Sequence, residues 1–415
     1  MLKVRHSGCA AVVVGALWGL PLLAEAQDRP DPASAARMRI GPVALTPTMT
    51  TSIGVDNNVF NEADNPKDDV VASVRPQAEA WLRLGRARLS GLTSVEFVYF
   101  NKYDSERSVN TANRALLELP LNRIRPYATA SLTNTRARLN AEVDARARYS
   151  QTSIGGGAEV RLGSKSFIGL ETQQTRFAFG EGVTFNDSEL RDVLNRDTER
   201  YTLSLRQQLT PLTTLVLLTQ RQRESFIFSP ERDSRSVEVI PGFEFDNSAL
   251  LNGRALVGFR RFEPDDPQIP SYSGLVAAVD LGYTLRGATR FQARVSRDVA
   301  YSVEVIYPYF VLTDVSGAVT HRLTDSWELL GIASQQRLAY RSTQPSPLIP
   351  GPSTSPALQV SDRTDTFFNW GAGVGYRLGR YTRVGLNADY YRRRSVFDGR
   401  TFSSLRLNSS LTYGF

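Results

Sequence analysis

The last twelve residues read Ser404-Leu405-Arg406-Leu407-Asn408-Ser409-Ser410-Leu411-Thr412-Tyr413-Gly414-Phe415. Leu405, Leu407, Leu411, Tyr413 and Phe415 fall on one parity, and Arg406, Asn408 and Ser410 on the other. Successive side chains of a β-strand point to opposite faces. The segment therefore predicts a strand with one apolar face and one polar face, ending in an aromatic ring.

The same two-residue period recurs upstream. In 70–84, Val70, Ala72, Val74, Ala78, Ala80, Leu82 and Leu84 oppose Ser73, Arg75, Gln77, Glu79 and Arg83. In 87–99, Leu89, Val95, Phe97 and Tyr99 oppose Arg88, Ser90, Ser94 and Glu96; in 382–391, Val384, Leu386, Ala388 and Tyr390 oppose Arg383, Asn387 and Asp389. Short connections, as at Gly85-Arg86, Arg286–Ala288 and Gly379-Arg380, alternate with long ones, as at Asn57–Asp69, Gly180–Arg196 and Ser342–Ser361. Strands with one apolar face and loops that alternate in length predict an all-β fold, a transmembrane antiparallel up-and-down β-barrel. Counting between connections gives about 18 strands, an even number that puts both termini in the periplasm. Closure follows from the solvent: a backbone group left unpaired in hydrocarbon is costly, so the sheet has to close on itself. Glycine runs at Gly155–Gly157 and at Gly371, Gly373 and Gly375 predict places where the wall bends.

The opposite end of the chain agrees. Lys3 and Arg5 precede an apolar run from Cys9 to Leu23, and Ala24-Glu25-Ala26 follows as a small-residue cleavage pattern. This predicts a signal peptide over 1–26, a periplasmic segment over 27–42 with a flexible tail to Ile40, and a barrel over 43–415. Export through such a leader places the protein in the outer membrane of a Gram-negative cell. Its anionic neighbours there are lipid and lipopolysaccharide, and nucleic acid is not among them.

Little in the chain carries reaction chemistry. Cys9 is the single cysteine, and the histidines are His6 and His321. That set lacks a zinc cluster, and no phosphate-binding loop or dinucleotide fingerprint is present. The acidic stretch Asp56–Asp69 lacks the spacing of an EF-hand. No enzyme activity, cofactor, catalytic residue or metal site is expected, and His321 reads as a rim residue beside a short turn. The stretch Ser188–Asn195 predicts a short helix in the 180–196 loop, which either folds inward as a constriction or covers the mouth.

The polar face is the functional clue. Strand parity assigns Arg75, Arg83, Arg88, Arg114, Arg206, Arg254, Arg260, Arg290, Arg294, Arg383 and Arg406 to the lumen. Glu79, Glu96, Glu118, Glu171, Glu238, Glu244, Asp280 and Asp389 accompany them. Two readings stay open. Rings of arginine draw anions through a pore; alternatively, cross-strand arginine–carboxylate pairs stiffen the wall. The net charge of +7, carried almost wholly by arginine, suits either.

Two resemblances bear on this. The ending Leu411, Tyr413, Phe415 resembles the terminal strand of outer-membrane barrels, which implies recognition by the barrel-assembly machinery. Gly54-Val55-Asp56-Asn57-Asn58-Val59-Phe60 resembles the D-[SND]-N-[VI]-[FY] opening of the beta-barrel porin type 2 family, from about residue 40 to Phe415. That resemblance implies an outer-membrane barrel associated with exopolysaccharide production, and it transfers no catalytic role to Asp56, Asn57 or Asn58. The arginine-bearing lumen is also similar in character to alginate-export barrels. Together these lead to an expectation of passive export of an anionic exopolysaccharide, with an acidic polysaccharide and periplasmic export components as partners. The alternatives are a diffusion porin for small solutes, or a plugged structural or adhesion barrel that works through its external loops.

Overall fold

A computed structural model describes residues 36–343 and 363–414. The expected signal peptide, most of the 27–42 segment, most of the 342–361 loop and Phe415 lie outside the described residues.

Eighteen antiparallel strands form one closed barrel. In chain order they are β1 (Val43–Asp56), β2 (Asp69–Leu84), β3 (Ala87–Phe100), β4 (Ser108–Glu118), β5 (Ile124–Arg138) and β6 (Arg146–Arg161). Then come β7 (Ser166–Phe179), β8 (Arg196–Thr210), β9 (Thr213–Phe226), β10 (Ser234–Phe245), β11 (Leu251–Pro264) and β12 (Tyr272–Leu285). The last six are β13 (Thr289–Tyr301), β14 (Tyr309–Arg322), β15 (Trp327–Arg341), β16 (Thr364–Leu378), β17 (Thr382–Arg394) and β18 (Phe402–Gly414). Each strand pairs with its neighbours in sequence, and β1 pairs with β18 from Thr48↔Gly414 to Asp56↔Arg406.

Register fixes which residues share a face. On the outer face Val55 lies opposite Leu407 and Val70, and Thr51 lies opposite Leu411 and Val74. Apolar side chains there are widely exposed, with Ile154 at 64% and Leu170 at 63%. Such exposure would be unfavourable in water and is what a lipid-facing wall requires. Leu411 and Tyr413 belong to this outer face, opposite Val384 and Thr382 of β17. No described helix is long and apolar enough to cross a membrane.

The glycine runs serve the inner face. A Cβ on Gly371 would stand 2.2 Å from Asp389 Oδ1, and one on Gly373 2.2 Å from Asn387 Oδ1. A Cβ on Gly157 would meet the Tyr127 ring at 2.9 Å. These glycines leave room for large polar side chains on the next strand. Ahead of β1, Met38–Ile40 pairs back on Val43–Leu45 through a turn at Gly41, whose φ is +57°. This stretch was expected to belong to the flexible tail; a left-handed glycine, which costs little, folds it into a hairpin instead.

The seam between β1 and β18 carries the Asp56-Asn57-Asn58 motif. Asp56 Oδ1 accepts from the Asn58 N–H at 3.0 Å and from Ser404 Oγ at 2.8 Å, and Asp56 Oδ2 pairs with Arg406 Nε at 2.8 Å. Asn58 Nδ2 donates to the carbonyls of Glu62 at 2.8 Å and Ser403 at 3.1 Å, while Asn57 Oδ1 accepts from the Leu405 N–H at 2.7 Å. The motif is a clasp between the first loop and the last strand. Asp56→Ala leaves buried donors without an acceptor, and each such group costs about 1–3 kcal/mol. A lowered midpoint in heat-dependent gel mobility of the folded barrel is the expected result; an unchanged midpoint would show that the clasp is dispensable.

Candidate functional site

The inner wall is a lattice of paired charges. Arg206 reaches Glu159 of β6 at 3.1 Å and Glu244 of β10 at 3.3 Å, spanning a strand on each side. Arg260 pairs with Glu238 at 3.0 Å and with Asp298 at 2.5 Å. Arg75 meets Glu96 at 3.3 Å, Arg294 meets Asp280 at 3.1 Å, Arg383 meets Glu328 at 2.5 Å, and Arg406 meets Asp56. Arg254 lies in register between Glu244 and Asp280, and Arg88 between Arg83 and Glu118. Arg83 turns back to the Gly85 carbonyl at 3.3 Å. Arg290 lies between Thr284 and Thr320, and Arg114 is exposed between Leu92 and Ser131, with no carboxylate in register on either side. Most of these arginines are therefore struts, and Arg114 and Arg290 stand apart from the lattice. Glu159, Asp298 and Glu328, not on the sequence list, are acceptors in it.

At the end of the barrel that carries the long loops, chain crosses the lumen. Residues 139–145, between β5 and β6, leave the wall and place Ala141 against Phe310, Leu312, Leu338 and Tyr340 of β14 and β15, half the ring away. The β13–β14 hairpin comes to meet them. β13 keeps register with β12 only as far as Ala277↔Arg297, but with β14 as far as Tyr301↔Tyr309. The freed strand ends are buried on both faces, with Tyr309, Phe310 and Val311 exposed by no more than 1%, while Val305 and Ile306 in the turn stay exposed. A wall strand with lipid on one side cannot be covered in this way, so the tip leans over the lumen.

A third element packs against the crossing chain. The helix α1 (Leu190–Leu194) forms inside the stretch where sequence predicted one. Leu190 and Leu194 join Val143, Val303, Phe177 and Phe179 in one buried apolar cluster. The helix packs on Phe177 and Phe179 at the end of β7 and on Val143 of the 139–145 loop.

Beside the apolar cluster lies an ionic core. Glu142, with no exposed surface, accepts from Ser302 Oγ at 2.6 Å and from the Val303 N–H at 3.2 Å. Arg393 of β17 donates to Asp144 at 2.8 Å, to Asp365 at 2.7 Å and to the Glu142 carbonyl at 3.3 Å. Arg400 bridges Glu304 and the Glu142 carbonyl, both at 2.8 Å. Arg363 holds Glu304 at 2.9 Å and Asp365 at 2.6 Å, and Arg232 donates to the Ser302 carbonyl at 2.5 Å. Arg138 and Asn61 both donate to the Asp144 carbonyl, at 2.7 and 3.2 Å. The 139–145 loop is thus held by the wall and by three other loops. Burial pushes the Glu142 carboxyl up to about 7, against the opposing pull of the Ser302 hydrogen bond and Arg400. Burial raises the Asp144 carboxyl as well, while Arg393 and Arg400 draw it down.

None of Glu142, Asp144, Glu304, Arg232, Arg363 or Arg400 stood out in the sequence, because strand parity says nothing about where loops fold; Arg393 shares the parity of Arg383 and Asp389 but lies beyond the 382–391 stretch. The available signal was apolar residues inside supposedly solvated loops: Val143, Leu190, Leu194 and Val303. The other chemical candidates are structural. His321 Nδ1 meets Thr289 Oγ1 at 2.8 Å, and Asp69 accepts the N–H groups of Val70, Lys102 and Tyr103. Among the described residues no cluster of His, Cys, Asp and Glu is arranged to hold a metal ion.

No curated protein sequence matches the chain. Among solved structures, the outer membrane protein OpdK of Pseudomonas aeruginosa is similar at 10% identity and a TM-score of 0.48, over 89% of this chain and 99% of that one. OccK3 (OpdO) of Pseudomonas aeruginosa is similar at 11% identity and a TM-score of 0.47, over 89% and 95%. The siderophore receptor PirA of Pseudomonas aeruginosa reaches a TM-score of 0.39 at 10% identity, over 89% and 80%. Likeness this distant carries no argument about solutes. The family described as "Putative beta-barrel porin 2" matches residues 31–414, and the chain, an outer-membrane β-barrel of the porin type, belongs to it.

Proposed function

We propose that the protein is a passive channel for small anionic solutes, gated where the 139–145 loop crosses its external mouth. One observation carries this reading: chain from β5–β6 rests on β14 and β15, over a lumen whose wall is lined by arginines. Arg114 is an exposed cation, and neither it nor Arg290 has a carboxylate in register. Such groups offer weak, distributed contacts to a passing anion, and the struts hold them in place.

Passive export of an anionic exopolysaccharide draws on the same arginines. It differs in requiring the loop to leave the mouth altogether, because a polymer has to thread a path that a small carboxylate can pass in steps. A plugged adhesion barrel would keep the mouth shut. Planar-bilayer conductance in a salt gradient separates the three. The expected result is small, anion-selective steps that carry short carboxylates and are indifferent to an acidic polysaccharide. Blockage by the polysaccharide would favour export, absence of current would favour the plugged barrel, and cation selectivity would sink the arginine argument.

A further inference from the structure

The outer surface of β13–β17 carries one straight row in register. Arg297 lies opposite Thr313, Thr313 opposite Arg337, Arg337 opposite Thr366, and Thr366 opposite Arg394. Neighbouring strands stand about 4.8 Å apart, so the arginines repeat about every 10 Å with a threonine hydroxyl between them. Arg392 is exposed in the next row, opposite Phe368.

The charge balance here is unlike the rest of the outer surface. Elsewhere Arg176 pairs with Asp197 at 2.8 Å, Arg235 with Asp265 at 3.4 Å and Arg261 with Glu263 at 2.6 Å. No carboxylate lies in register with this row or the one beside it. The guanidinium of Arg297 is set by Thr313 Oγ1 at 2.7 Å, and Arg394 rests 5.7 Å over the Phe368 ring. Phe368 and Trp370 stack 3° from parallel with centroids 5.4 Å apart, and Tyr390 continues the stack at 5.9 Å. Aromatic rings of this kind settle where acyl chains meet headgroups. Cations in a row without acids, next to rings that favour that depth, match a molecule with a phosphate at one end and hydrocarbon at the other. Arginine suits the phosphate because it bonds its oxygens two at a time.

We propose that this patch is a binding site for the phosphorylated headgroup of a membrane lipid, with the acyl chains lying along Phe368, Trp370 and Tyr390. The full chain, refolded in detergent, is offered a bis-phosphorylated glycolipid and its phosphate-free counterpart, and retained lipid is read by native mass spectrometry. Wild type retains the phosphorylated form about tenfold better. The triple variant Arg337→Gln, Arg392→Gln, Arg394→Gln loses that preference, while Arg221→Gln with Arg235→Gln, elsewhere on the outer surface, keeps it. If the triple variant fails to fold, Arg392→Gln alone carries the test, with a smaller loss. Equal retention of the two lipids by wild type, undiminished retention by the variants, or displacement by inorganic phosphate as readily as by lipid would overturn the assignment. Conductance recorded on the same preparations is unchanged by these substitutions, so failure here is distinct from failure of the channel reading.

Discussion

Replacing residues 139–145 with a two-residue Asn-Gly turn raises single-channel conductance several-fold. Arg138 and Arg146 already face each other in register, so a tight type I′ turn joins β5 to β6 without disturbing the wall. What disappears is the chain across the mouth, including Ala141 on the far wall and Glu142 and Val143 in the core of the closure. Flow through a pore is governed by its narrowest section, so clearing that section changes conductance more than any edit to the wall below. Unchanged conductance would mean that the narrowest section lies elsewhere.

The same loop carries a group that titrates, Glu142. Glu142 holds its proton with a value of about 7 when seated, against 4.5 for an ordinary glutamate. A group that binds its proton more tightly in the seated state stabilises that state fully below 4.5, progressively less from there to 7, and not at all above. The span is worth about 3.5 kcal/mol at most, at roughly 1.4 kcal/mol for each pH unit. The mouth therefore tightens in acid and loosens above neutrality, with Ser302, Val303, Arg400 and Glu304 as the groups Glu142 faces. Glu142→Gln, neutral at every pH, flattens the conductance profile between about pH 4.5 and 7 at its acid-side value. A wild-type pore that opens as pH falls would contradict the scheme.

Arg393→Ala is expected to cost about 3–5 kcal/mol of local stability, the usual consequence of removing one partner from a buried ion pair. Its guanidinium has no exposed surface and ties β17 to Asp144, Asp365 and the Glu142 carbonyl. Without it Asp365 keeps Arg363, but the half-buried Asp144 loses its ion-pair partner. The variant should show earlier loop exposure to protease and longer open times while the strands stay intact. Arg393→Met retains most of the volume and separates charge from packing. If both variants behave as wild type, the ionic core is not what holds the loop.

How much of this was legible in the sequence depended on whether the information was local. Leu405, Leu407, Leu411 and Tyr413 announce their face because lipid contact repeats every second residue, and the same rule placed Arg75, Arg206 and Arg406 opposite them. The partners were not legible. That Arg206 reaches past both neighbouring strands to Glu159 and Glu244 depends on wall curvature and side-chain length. That Gly371, Gly373 and Gly157 also make space for Asp389, Asn387 and Tyr127 needs the neighbouring strand to be seen. The mouth was least legible, since Glu142 and Ser302 lie 160 residues apart and no repeat connects them.

The clasp at Asp56 has a kinetic meaning. Every other strand pair in the ring is joined by its own connection and can form as soon as both strands exist. The pairing of β1 with β18 must wait for all the chain between them, and Ser404 meets Asp56 across 348 residues. Late joining of distant segments is the slow part of assembling a sheet. The barrel is then a hoop with one late joint, and that joint is where a pulling force or a denaturant would be expected to part it first. Mutations at Asp56 or Asn58 should act on the closing rate of the hoop and on its lifetime, and leave the hairpins that make up the rest of its circumference as they were.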